Sequence, residues 1–275
     1  MRIIREPKVV TLAETKLNEG LDLDEFTDNF DFLGRDEIGW PTVSNGDAVP
    51  EVAGRVCYHS FAKPRPGGNA AYLNNILSEG HGSVLEHSSV TFLITGVSRS
   101  LTHELIRHRA GTGFSELSQR YYEPNDDNIG FVLPPLAIGN RDLETELEAS
   151  YRAAFDRYKT VYEYAAAEAR KFAPQEADDP SKRKSTTLIR KRAREAARAV
   201  LPNAIETHIV MTGNLRAWRN VIEQRGSIHA DLEIRRLAVE LARTLKVVAP
   251  SAFQDVEVAI LSDDRAGVFV KYRKV

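Results

Sequence analysis

Apolar residues recur with two different periods along this chain, and the changes of period mark out its elements. "KVVTLAE" (8–14), "SVTFLITGV" (89–97) and "ETHIVMTGN" (206–214) are short, apolar and β-branched, so they predict strands. Helical spacing governs most of the rest. "AVPEVAGRVCYHS" and "GGNAAYLNNILSEG" predict short helices, the second ending near Gly80, with "GHGSVLEHSS" as a loop after it. "SRSLTHELIRHR" predicts a helix over Ser98–Arg109, N-capped by Ser98 and stopped by Gly111 and Gly113. A long amphipathic helix is expected over 142–172, where Leu143, Leu147, Tyr151, Ala154, Tyr158, Val161 and Ala165 make one stripe of core or subunit contact. "DDPSKRKSTT" reads as a polar linker and "TLIRKRAREAARAV" as a helix ended by Pro202. Two further helices are expected around "RAWRNVIEQR" and "ADLEIRRLAVELARTLKVV", the second closed by Pro250. Helices dominate and do not alternate with strands, so the fold class is α+β rather than a series of βαβ units.

Composition narrows the function classes. The 275 residues are 42% hydrophobic and 28% charged with net charge -2, enough for one large domain or two small ones. No apolar run is long enough to span a bilayer, and "MRIIREPKVV" is no signal peptide, so a cytoplasmic setting is expected, without a membrane partner. The balance of charge gives no argument for nucleic-acid binding. The single cysteine, Cys57, rules out an intrachain disulfide or a Cys-based zinc cluster. Beside Ala53 and Val56 on a helix, it is expected to be a buried, inert thiol. Residues 17–40 carry eight acids and read as an exposed, peripheral segment.

Candidate chemistry sits in four clusters. In "LIRHRAGTGFSELSQRYYEP", Arg107, His108, Arg109 and Arg120 surround two glycines and two serines. Cations suit a helix C-terminus, which explains one or two of them. Glycines that admit a close approach, followed by arginine forks, explain the whole set as a cradle for a phosphate-bearing small molecule. It is not a Walker A or GxGxxG loop. The second cluster, residues 182–198, holds eight basic residues against Glu195 and reads mostly as a solvated basic face. Arg198, beside "AVLP", is expected to point inward and to need an anion. The third offers Asn214, Arg216, Asn220, Arg225 and His229, where His229 and Glu233 suggest a polar pair rather than a metal site. The fourth, "GHGSVLEH", brings together His81, Ser83, Glu86 and His87, for a metal or for an aromatic ligand on a Gly-rich loop.

Together "RHR…SELSQRY", "VAGRVCYHSFAKP", "GHGSVLEHSSVTFLITGVSRSLTHELIRHR", "REAARAVLPNAIETHIVMTGNLRAWRN" and "HADLEIRRLA" resemble the flavin-dependent thymidylate synthases, the ThyX family, in its actinobacterial or actinophage branch. The resemblance implies a single catalytic domain over 1–275, with a central, mostly antiparallel sheet flanked by helices, one of them long, and a polar linker at 176–185. It implies conversion of dUMP to dTMP, with FAD as cofactor, NADPH and 5,10-methylenetetrahydrofolate as co-substrates, and a homotetramer with shared active sites. FAD contacts would come from Ser83, Arg107, His108, Arg109, Glu116, Asn214, Leu215, Arg216 and Asn220. The dUMP site would take Glu104, Leu105, Ile106, Arg107, Glu116, Leu117, Ser118, Gln119, Arg120, Arg198 and Arg225. Arg225 would stabilise the anionic uracil, and His81 would sit where folate and flavin meet. One departure stands out: eight residues, Ala110–Leu117, separate Arg109 from Ser118, where the family signature has one fewer. The alternatives are a related flavin-dependent enzyme that modifies deoxyuridylate, and a non-enzymatic module that binds anions or nucleic acid through 182–198.

Overall fold

The computed structural model describes residues 1–18, 45–60, 66–172 and 181–275. Most of the acidic stretch, and residues 173–180, which include the start of the expected linker, lie outside the described residues. In chain order the elements are β1 (Arg2–Ile4), β2 (Lys8–Glu14), α1 (Asn45–Tyr58), α2 (Gly68–Ser78), β3 (Ser89–Ser98), α3 (Arg99–Leu105), β4 (Thr112–Glu116), β5 (Gly130–Val132), α4 (Arg141–Lys171), α5 (Ser181–Ala197), β6 (Glu206–Asn214), α6 (Leu215–Arg225), α7 (Leu232–Val248), β7 (Val256–Ile260) and β8 (Ala266–Val270). Short 3₁₀ turns occupy Gly82–His87 and Arg198–Val200. Helices and mostly antiparallel strands, with β1 and β5 paired in parallel, are mixed without alternation, the α+β class expected. Residues 1–6, 95–103 and 116–209 form one compact unit, and residues 7–94, 104–115 and 210–275 a second.

The second unit is built on a sheet of order β2-β3-β6-β4. Its strands run antiparallel. Thr15, just past β2, donates its N–H to Ser89 at the start of β3 (3.0 Å), and Asn214 at the end of β6 donates to Gly111, just before β4 (3.1 Å). Alternation along β3 turns Val90, Phe92 and Ile94 into the core, each at most 1% exposed. Helix α7 supplies Ile234, Leu237, Ala238, Leu241 and Leu245 at helical spacing, all buried. Trp218 of α6 meets Phe92 edge-on at 5.0 Å and donates Nε1–H to the Val90 carbonyl at 3.1 Å. Truncating such a residue costs about 3–5 kcal/mol.

In the first unit α4 packs along α5. Its core contains Ile129, Phe131, Tyr151, Phe155, Tyr158, Ala197 and Ile205. Phe131 stacks on Tyr151 at 4.9 Å. Burial pushes the Tyr158 hydroxyl up to about 12. The aromatic middle of the predicted stripe is thus core, while Leu143 at its start is exposed. Asn140 caps α4 by accepting from the Leu143 N–H at 3.2 Å.

Four local expectations need correction. Ser98 does cap α3, accepting from the Leu101 N–H at 3.1 Å, but the helix ends at Leu105 rather than Arg109. The Arg107 and His108 N–H groups close 3₁₀-type bonds on Glu104 and Leu105 (3.2 Å each), and Gly111 at φ +68° turns the chain into β4. Residues 82–87 form a 3₁₀ turn instead of an open loop. Residues 181–187 of the expected linker belong to α5. Cys57 is exposed, not buried.

Candidate active site

Arg225, the last residue of α6, is held from three sides. Its Nε donates to His108 Nε2 at 2.9 Å, Nη1 donates to the Glu104 carboxylate at 2.8 Å, and Nη2 donates to the Glu104 carbonyl at 3.2 Å. Among the described residues these bonds use three of the five guanidinium N–H groups, so one remains on each terminal nitrogen. An imidazole nitrogen that accepts from arginine must carry a lone pair. His108 is therefore neutral, and the Asn220 Nδ2 lies 3.3 Å from its other ring nitrogen, Nδ1. Burial and then the Arg225 charge lower its pKa to about 4. His108 is a support for Arg225 and not a member of the cationic cluster that the sequence suggested. The Glu104 carboxyl is pushed up, first by burial and then by the neighbouring Asp231 carboxyl, and these outweigh Arg225. Asp231 occupies the N-cap position of α7 without capping it, and its carboxyl is near enough to Glu104 to raise it.

An open pocket of about 420 Å³ lies beside this network, lined by Ala110, Gly111, Asn214, Arg216, Asn220 and Glu223 among others. Asn214 N-caps α6, its Oδ1 accepting from the Ala217 N–H at 2.8 Å. Arg216 donates from Nη1 to Glu86 (2.6 Å) and from Nε to the Val275 main-chain oxygen (3.2 Å). Its Nη2 has no partner among the described residues. Leu215, expected at the same site, is fully buried, and its N–H is taken by the Ser88 carbonyl at 2.9 Å. Arg107, Arg109 and Ser83 are exposed, Leu105 is fully buried and Ile106 half-buried. His81 stacks on Tyr58 at 5.4 Å, and Glu86 faces Arg216, so "GHGSVLEH" does not close around a metal. Among the described residues no three His, Cys, Asp or Glu side chains form a metal-binding group. His229 lies in the turn before α7, not one helical turn from Glu233.

The first unit carries the other predicted set. Glu116 accepts from Thr102 Oγ1 at 2.8 Å and pairs with Arg99 at 3.2 Å. The Leu117 N–H donates to the His208 carbonyl at 2.8 Å. The Ser118 carbonyl takes the N–H groups of Tyr121 and Tyr122 (3.0 and 3.1 Å), closing a turn with Gln119 half-buried and Arg120 exposed. Arg120 pairs with Glu195 at 3.2 Å. The inward-pointing arginine of α5 is Arg194, at 6% exposure; Arg198 begins the following 3₁₀ turn and is exposed. Arg194 donates to the carbonyls of Arg120 (3.4 Å) and Tyr121 (3.3 Å) and pairs with Glu123. Its anion is a carboxylate of the same chain.

The sequence profile described as "Thymidylate synthase complementing protein" matches residues 42–251. The flavin-dependent thymidylate synthase of Mycobacterium avium (strain 104) is 51% identical over 237 residues, 85% of this chain and 89% of that protein. That of Mycobacterium tuberculosis (strain ATCC 25618 / H37Rv) is 50% identical over 236 residues, again 85% of this chain and 89% of that one. The chain belongs to the flavin-dependent thymidylate synthases. Its fold is also similar to that of a UMP/dUMP methylase, PolB, from Streptomyces cacaoi bound with 5-Br dUMP, at a TM-score of 0.61 and 18% identity over 92% of this chain and 96% of that one. A flavin-dependent thymidylate synthase must hold a flavin, and the pocket at Arg216 fits one. A free guanidinium nitrogen suits an anionic group, and Gly111 keeps the wall open where a Cβ would come within 2.4 Å of Asn214 Nδ2. Sequence reasoning did not find Asp231, Arg194, or Tyr272, Lys274 and Val275, which also line the pocket. No local pattern marks these five, because each acts on residues distant in sequence.

Proposed function

We propose that the chain converts dUMP to dTMP, with 5,10-methylenetetrahydrofolate as the carbon donor, NADPH as the reductant and no enzymatic cysteine nucleophile. FAD, once reduced, supplies the hydride. The observation that carries this reading is Arg225. Its guanidinium is fixed before any ligand arrives, with two N–H groups to spare. A cation placed beside the pyrimidine favours the N3-deprotonated form and makes C5 electron-rich, which does the work of a covalent nucleophile. Neutral His108 and Glu104 hold that cation in place. Arg107, Arg120 and Arg198, all exposed, are the residues we assign to the substrate phosphate, with Glu104 to Ile106 and Glu116 to Gln119 around the nucleotide. We assign FAD to Ser83, His108, Arg109, Asn214, Arg216 and Asn220, with Leu215 contributing through the core, and the folate to His81. The working form is a homotetramer.

An absorbance spectrum of the purified protein before and after dUMP tests the assignment. A flavin spectrum perturbed by dUMP is expected; a colourless protein that binds neither ligand would overturn it. Arg225→Ala is expected to fold and keep its flavin while losing turnover. Normal turnover in that variant would rule out the mechanism.

A further inference from the structure

Four residues at the end of the chain run along one face of α6. Arg216, Arg219 and Glu223 lie on that face at helical spacing. Arg219 donates from Nη2 to the Tyr272 carbonyl at 3.0 Å. The Tyr272 N–H donates to Asp255 at 2.9 Å, and Asp255 is itself paired with Arg219 at 2.7 Å. The Lys274 N–H donates to Glu223 at 3.2 Å, and the Val275 oxygen accepts from Arg216 Nε at 3.2 Å. Two further features show that this path is imposed. Lys274 sits in the left-handed region at φ +59°, which costs a side-chain-bearing residue about 1 kcal/mol or more. Val275 lies so close to Gly82 that a Cβ there would be 2.4 Å from its carbonyl carbon. A loosely held segment would relax both.

We propose that Tyr272–Val275 is a wall of the flavin pocket, and that Val275 is a positioning residue that fixes Arg216 for the cofactor. The proposal rests on the assignment of FAD to that pocket. Arg216 is otherwise a half-exposed side chain with one partner, Glu86, itself about half exposed. With Val275 on Nε and Glu86 on Nη1, the guanidinium plane is set and Nη2 is left for an anionic group of the cofactor. Without Val275, ordering that side chain becomes a cost of cofactor binding.

The test uses purified protein stripped of flavin, titrated with FAD and followed by quenching of flavin fluorescence, beside its melting temperature without FAD. One variant ends the chain after Arg273. The second, Gly82→Ala, keeps the full chain and puts a Cβ 2.4 Å from the Val275 carbonyl carbon and 3.1 Å from Arg216 Nε. Both are expected to bind FAD roughly tenfold more weakly, the loss of one hydrogen bond to a charged group, at an unchanged melting temperature. If truncation alone lowers the melting temperature, Gly82→Ala decides. Unchanged FAD affinity in both variants overturns the proposal. Tighter binding overturns it too, because the segment would then compete for the pocket. An unaltered protein that binds no FAD overturns the cofactor assignment and this proposal together, and is recognised before any variant is made.

Discussion

At Arg225 a guanidinium leans on an imidazole, and that contact works only while the imidazole is neutral. His108 keeps itself neutral down to about 4, whereas a free histidine takes its proton near 6.5. Between those values the unfolded chain binds a proton that the folded chain refuses. Acidification from about 6.5 to 4 therefore removes stability, by at most about 3 kcal/mol from this group. Glu104 works in the opposite sense. Its raised carboxyl binds a proton better when folded, so its contribution is present at low pH and fades as pH rises through its pKa. Replacing His108 by glutamine is expected to flatten the fall in stability between pH 6.5 and 4, read from melting curves at stepped pH; unchanged slopes would show that the loss comes from other groups. Arg225→Lys is expected to rescue little of the activity lost in Arg225→Ala, because a point charge cannot hold His108, both Glu104 acceptors and a pyrimidine at once. A lysine variant with near-normal kcat would mean that charge alone suffices. Cys57→Ala is expected to leave turnover intact, and total loss would restore a cysteine nucleophile.

Helix α5 holds the Ser118–Glu123 turn through Lys191 on Tyr121, Glu195 on Arg120 and, from its buried face, Arg194. The Arg194 head group ties the carbonyls of Arg120 and Tyr121 to Glu123, and like Ala193 and Ala197 it is buried. Arg194→Ala leaves those acceptors without their donor and is expected to destabilise the protein by about 2–4 kcal/mol, read from denaturant melts. Because it loosens the turn rather than the reacting groups, it is also expected to raise KM for dUMP more than it lowers kcat. The reverse split would place Arg194 in the chemistry. Why the sequence suggested Arg198 instead is a matter of helix phase: "AVLP" is apolar, but the helix ends at Ala197, and the 3₁₀ turn that follows rotates Arg198 outward. The same limit applied at Cys57. The inward face of α1 is polar, with Asp47, Glu51 and Arg55 at 0–1% exposure and Asn69 donating to Glu51 at 2.7 Å, so apolar periodicity chose the wrong side. Strands β3 and β6 were legible because one side of each is core and the alternation follows. The end of α3 was not, since Leu105–Ile106 continues its pattern while the pairing of β4 with β6 dictates the turn. The cations at 107–109 could be read as a cluster, but their division into two exposed arginines and one neutral, buried histidine depends on Arg225, far along the chain.

For the molecule as a whole, the proposed assembly makes a demand that single-chain reasoning does not. The residues assigned to dUMP come from both compact units: Arg198 and Glu116 to Arg120 belong to the first, and Glu104 to Arg107 and Arg225 to the second. If the proposed homotetramer shares its active sites along this division, the two sets that serve one nucleotide come from different chains. Arg198→Ala and Arg225→Ala should then each be inactive alone and complement one another when mixed. A site that draws Arg198 from one variant and Arg225 from the other can receive both intact residues. A site built within one chain never can. Random reassociation of two chain types at equal amounts gives such an intact site about one time in four. Mixing the purified variants, dissociating and reassembling them, and assaying dTMP formation is therefore expected to recover up to about a quarter of the normal rate. Sedimentation is expected to show tetramers throughout. Tetramers that remain as inactive as either parent would place both arginines of each site on one chain, and would require the subunit contacts to serve stability instead of catalysis.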